Sequence, residues 1–135
     1  RRLGLGVALT GFDLHYAEAC LESGRLDEGL AAAARGLARA EQGQERFLLA
    51  PLHRVQGELR QARGEADAAA AAFRHALAVA EQQGARFHAL AAVVGACRLS
   101  RAARAEHRGR LSELLAAYRD EGIPLVAQAR QLLAA

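Results

Sequence analysis

Small residues recur along this chain at a spacing of forty, on stretches whose apolar periodicity is helical. Laying Gly24 on Gly64 sets Ala17 on Gly57, Gly29 on Ala69, Ala33 on Phe73 and Gly36 on Ala76. A helix-turn-helix unit of this length cannot bury its own apolar face, so it needs a stacked neighbour. The recurrence therefore favours an α-solenoid over a single-core globule. Composition agrees. Of 135 residues, 34 are alanine and 21 leucine, and only six are aromatic. Alanine favours helix and lets helices approach closely, near the short end of the 8–10 Å interaxial range. Thin layers of paired helices follow.

Periodicity and breakers set the elements. Residues 1–11 alternate apolar with small residues (Leu3, Leu5, Val7, Leu9 against Gly4, Gly6, Ala8) and read as an irregular or extended linker. Residues 12–135 read as the helical domain. Its first pair, 12–42, turns at Ser23-Gly24. The second, 45–83, turns at Arg63-Gly64 and carries Pro51, which predicts either a kink or a helix start near Ala50. The third, 87–118, joins Phe87–Leu99, apolar on nearly all sides, to Ala105–Tyr118. A terminal helix at 123–133 opens on Pro124, whose missing donor costs nothing in a first turn. The fold class expected is all-α: about three antiparallel pairs and a C-terminal capping helix. Gly29 and Gly36 inside a helix imply that a neighbour passes close.

At these residues the chain resembles the tetratricopeptide repeat family. That pattern asks for a small residue on the first helix, glycine at the turn, then alanine, an aromatic and alanine on the second helix. Gly57, Gly64, Ala69, Phe73 and Ala76 match it well. Ala17, Gly24, Gly29, Ala33 and Gly36 are a degraded match. The third pair departs, having no glycine at its turn, and the period exceeds the family's usual ~34 residues. A narrower resemblance rests on Glu45-Arg46-Phe47, on Leu52 to Leu59 (LHRVQGEL), and on Phe73 to Leu77 leading to Gln83-Gly84-Ala85-Arg86. These are similar to the C-terminal repeat region of bacterial regulators that join a STAND-type ATPase to a class III nucleotide cyclase or a DNA-binding transcriptional domain. The resemblance implies a non-catalytic, cytoplasmic interaction or sensor module. It would bind a protein, a peptide, another domain of its parent chain or a small-molecule inducer. The absence of methionine reads as a cut from a longer chain, with upstream repeats removed and a natural C-terminal end.

Candidate chemistry is thin. Gly4 to Gly11 lacks the spacing of G-x-G-x-x-G and the Lys-Ser/Thr of a P-loop. The five histidines show no i,i+4 pair and no H-E-x-x-H, although His53 and His88 fall on adjacent first helices. Cys20 and Cys97 sit two layers apart, too far for a disulfide, and read as buried fillers in a reducing compartment. No cofactor, metal or catalytic set is expected. Arginines interrupt every candidate membrane span of about 18 residues, and no secretory signal is present.

All 18 basic residues are arginine, against 15 acids, for a net charge of +3. Only residues 98–110 are basic-rich, with Arg98, Arg101, Arg104, Arg108 and Arg110 against Glu106. Little aromatic interleaving supports base stacking, so a solvated helix face is the better reading. A small nucleic-acid-binding helical repeat is kept as the alternative function.

The remaining surface is the groove lined by the first helix of each pair. Candidates facing it are Leu14, Glu18 and Leu21, then Arg54, Glu58 and Gln61, then Val93 and Arg101. Arg54 and Glu58 also stand at i,i+4 spacing and can pair with each other. The uncovered apolar N-terminal end, with Phe12 and Tyr16, predicts a homodimer through that end.

Overall fold

The computed structural model describes residues 3–43, 45–119 and 122–135, with side chains from residue 9 onward. Among them are seven helices and no strand: α1 (Leu3–Ser23), α2 (Leu26–Gln42), α3 (Leu49–Ala62), α4 (Ala66–Gln82), α5 (Arg86–Cys97), α6 (Arg101–Leu115) and α7 (Pro124–Ala134). A short 3-10 turn, Arg46–Leu48, leads into α3.

The turns follow from the sequence. Gly24 and Gly64 both adopt left-handed backbone, at φ 78° and 81°, a region that costs other residues a Cβ clash. Each closes the same cap. Arg25 N–H donates to the Cys20 carbonyl and Glu65 N–H to the Arg60 carbonyl, both at 2.9 Å, which satisfies carbonyls the helix end leaves open. The caps lie forty residues apart.

Pro51 is the third residue of α3, where its missing N–H has no intrahelical partner to lose. Of the two expectations for this segment, the start near Ala50 is the one observed. Pro124 opens α7 as expected. Two expectations are corrected. The stretch 3–11, read as irregular, is the first part of α1. Helix propagates from the turns anchored at Thr10 and Asp13, adding one hydrogen bond per residue, against about 1 kcal/mol for each glycine. The second correction concerns α6, which begins at Arg101 rather than Ala105. Ser100 is extended, and its Oγ accepts the Ala103 N–H at 3.0 Å, the N-cap bond that starts a helix.

The forty-residue recurrence is visible in the packing. Buried positions on α2 are Gly29, Ala32, Ala33, Gly36 and Ala40. On α4 they are Ala69, Ala72, Phe73, Ala76 and Ala80, each shifted by forty. Close approach explains the interior glycines. A β-carbon at Gly29 would stand 2.8 Å from a Leu59 methyl, and one at Gly36 2.8 Å from a Leu52 methyl. Three apolar clusters result. One joins α1 and α2 to α3 through Leu14, Ala33, Leu49, Leu52 and Leu59. A second joins α5 to α6 and α7 through Leu90, Val94, Leu111, Leu115 and Val126. A third, smaller one joins α4 to α5 through Ala69, Phe73 and Ala96. Ala89 to Cys97 are all buried, as the all-round apolar character of that stretch predicts.

Each helix packs on the one before it, and α1 also touches α3, and α3 touches α5. The first helices of the pairs thus stand side by side.

Candidate interaction cleft

Helices α3, α5 and α7 line a cleft of about 220 Å³. Helix α3 contributes Arg54 and Glu58, one turn apart. Helix α5 contributes Phe87, His88, Ala91, Val94, Gly95 and Arg98, a stripe at intervals of three and four that puts them on one face. Helix α7 closes the far wall with Leu125 and Gln128. Ala91 and the bare backbone of Gly95 leave room between them.

The charges are fixed asymmetrically. Arg54 donates from Nη1 to Glu58 Oε1 at 2.9 Å and from Nη2 to Glu18 Oε2 at 3.0 Å. Glu18 also lies 3.4 Å from His15 Nδ1. One guanidinium therefore ties α1 to α3 and has its charge compensated twice. It is only 19% exposed, so its geometry is held. Arg98 differs. Its Nη2 donates to Gln128 Oε1 at 2.9 Å, and no carboxylate pairs with it among the described residues. Gln61 Nε2 donates to the Arg98 carbonyl at 3.3 Å, linking α3 to the end of α5. Burial, with the nearby Arg54 charge, pushes the His88 imidazole below its usual range. The cleft thus holds small apolar residues, an imidazole whose pKa burial lowers, a clamped ion-pair row on one side and, on the other, a guanidinium bonded to Gln128 and to no carboxylate among the described residues.

Of the groove residues expected from sequence, Arg54 and Glu58 line the cleft, and Glu18 joins them through Arg54. Gln61 borders it. Leu14 and Val93 are buried in the core and Leu21 packs against the first cluster, so these three do not face the groove. Arg101 is also corrected. It lies on α6, where it shares a separate shallow pocket with Arg104 and Arg108, because the chain turns at Ser100. Sequence reasoning missed Phe87, His88, Arg98, Leu125 and Gln128. A helix apolar on every side hides which stripe lines the cleft, and nothing in the sequence says that α7 folds back as a wall.

The other candidate groups separate. No contact joins His53 to His88 among the described side-chain contacts. The His53 ring instead meets His75 edge-on, with centroids 5.3 Å apart. Its Nδ1 is buried without a hydrogen-bond partner, and burial, then His75, lowers its pKa. Among the described residues no cluster of three His, Cys, Asp or Glu side chains could hold a metal ion. Cys20 and Cys97 are free and buried, and burial raises the Cys97 thiol. No described helix is long and apolar enough to cross a membrane. The chain matches no protein-family model, no curated protein and no solved structure.

Proposed function

We propose that residues 12–135 are a tetratricopeptide-like, non-catalytic interaction module whose cleft between α3, α5 and α7 receives a segment of a protein partner or of its own parent chain. The same reading makes it the C-terminal repeat region of a cytoplasmic bacterial signalling or transcriptional regulator. The forty-residue burial repeat and the resemblance at residues 45–59 support that placement. The observation that carries the binding reading is the pairing of small residues at Ala91 and Gly95 with an Arg98 guanidinium that bonds Gln128 and no carboxylate among the described residues. Such a site favours a peptide with a small apolar side chain beside Ala91 and Gly95 and a carboxylate for Arg98.

Panning a random peptide display library on this chain tests it. Enriched peptides are expected to carry Asp or Glu beside apolar residues. Arg98→Glu is expected to reverse the charge preference. Gln128→Trp, at an exposed wall position, is expected to weaken binding roughly tenfold or more, about 1.4 kcal/mol. No enrichment, or enrichment unchanged in both variants, overturns the proposal.

The α6 surface supports a second reading. Arg101, Arg104 and Arg108 share one shallow pocket, and no described carboxylate pairs with them. A nucleic-acid site there predicts a mobility shift at about 50 mM salt that fades steeply as salt rises. No shift ends that reading.

A further inference from the structure

Asp13 on α1 and Arg35 on α2 form an ion pair at 3.5 Å, and Arg39 brings a second guanidinium to the same carboxylate. Forty residues on, the same register positions on α3 and α4 are His53 and His75. Forty further, the position of His53 is held by Val93, buried in an apolar cluster. The place between first and second helix is therefore filled by opposite charges in one layer and by hydrocarbon in another. The middle layer holds two imidazoles, and they do not satisfy each other. Their rings meet edge-on with centroids 5.3 Å apart, and His53 Nδ1 is buried without a hydrogen-bond partner. Gln56 also faces that ring but makes no hydrogen bond to Nδ1. A buried nitrogen left so costs stability, and Val93 shows that the fold has an apolar alternative. His75 is exposed. Among the described residues its side chain makes no hydrogen bond or ion pair, so its ring is free to turn.

We propose that His53 and His75 clamp a divalent transition-metal ion between α3 and α4, with water in its remaining positions. The donor set selects the ion. Imidazole suits zinc, nickel and copper, whereas calcium and magnesium take oxygen. Two imidazole nitrogens bound to one zinc ion at about 2.0–2.1 Å put their ring centres about 5 Å apart, close to the separation already present. A ligating imidazole must be neutral. Burial, then the neighbouring His75, lowers the His53 pKa and keeps its ring neutral near neutral pH. Glu41 on α2 adds negative charge within reach of the same ring, which favours a cation there. It is not a third ligand, since no three such groups converge among the described residues. The site is thus an open clamp rather than a closed structural site with four protein ligands. Its two ligands stand on different helices, so the unfolded chain offers only separate histidines.

Isothermal titration of the tag-free chain with zinc, and separately with nickel, tests the proposal. One ion per chain is expected at a micromolar Kd, with no heat from calcium or magnesium. His75→Gln and, separately, His53→Gln are expected to weaken zinc binding by at least the roughly tenfold that loss of an outer partner costs a metal site. His75 is exposed, so its variant keeps the test open should loss of the half-buried His53 disturb the fold. His15→Gln and His107→Gln, at histidines on other helices, are expected to leave binding unchanged. Zinc is expected to raise the melting temperature of the wild-type chain and not that of His75→Gln, because the clamp exists only in the folded state. No binding tighter than millimolar, binding unchanged in His75→Gln, or binding without a rise in melting temperature overturns the proposal.

Discussion

Phe73 lies so close to Gly57 that a β-carbon there would stand 2.8 Å from the ring's Cε1. The same edge of the ring lies against Gly95, where a β-carbon would stand closer still to Cε1. One aromatic on α4 therefore fills space vacated by glycines on both α3 and α5, and it joins two layers that alanine alone could not fill. Removing the ring leaves a cavity, and Phe73→Ala is expected to cost about 3–5 kcal/mol. Gly57→Ala overfills the same space, with an expected cost of about 1–3 kcal/mol. Because both changes act on one contact, their costs are not expected to add. Urea unfolding of the two single variants and the double variant measures this.

Two glycines with left-handed backbone are expected to resist substitution for a conformational reason alone. Nothing lies within 4 Å of a β-carbon built at Gly24 or Gly64, so crowding plays no part. Gly24→Ala and Gly64→Ala are each expected to lower stability by about 1–2 kcal/mol. Gly109 is equally open but lies inside α6. Gly109→Ala is expected to raise stability by about 0.4–1 kcal/mol. Thermal melts of the three variants separate the cases by sign.

Ser100 sets where α6 begins. Ser100→Ala removes the acceptor for the Ala103 N–H and is expected to cost about 1 kcal/mol. Ser100→Asp keeps an acceptor and adds a favourable charge at the helix start. It is expected to restore the loss, as read from melting temperatures.

The two half-buried imidazoles, His53 and His88, make stability depend on pH. Burial, the main cause, lowers both folded pKa values below the ordinary histidine value of about 6.5. Above that value both states are neutral and nothing is lost. As pH falls through it, the unfolded chain takes up protons that the fold resists, so stability declines until the lower folded pKa is reached. Urea midpoints are expected to drop between about pH 7.5 and pH 5.5. The drop should be smaller in His53→Gln and His88→Gln. A flat wild-type profile in that window contradicts the assignment.

Much of the fold is legible in the chain because local rules decide it. The glycines at 24 and 64 mark turns by their backbone freedom. The alanine stripes at 69 and 76 mark a buried face by their spacing. The forty-residue shift between α2 and α4 is present in the sequence before any packing is known. Less legible are residues whose role depends on a distant partner. Leu14, Leu21 and Val93 have the periodicity of a groove and are claimed instead by packing. Arg101 changes helix because a single hydroxyl caps the next one. Leu3 to Gly11 looks extended by composition but is carried into α1 by the turns that follow it.

The sequence by itself therefore determined helices, their pairing and their repeat, since these rest on interactions within about four residues or on a recurrence within the chain. Only the tertiary structure decided which stripe of α5 lines the cleft, and that Arg54 is clamped by Glu18 and Glu58 while Arg98 bonds Gln128 and no carboxylate among the described residues. Those outcomes depend on contacts between residues 30 or more positions apart, such as Arg54 with Glu18 and Arg98 with Gln128. No local propensity encodes them.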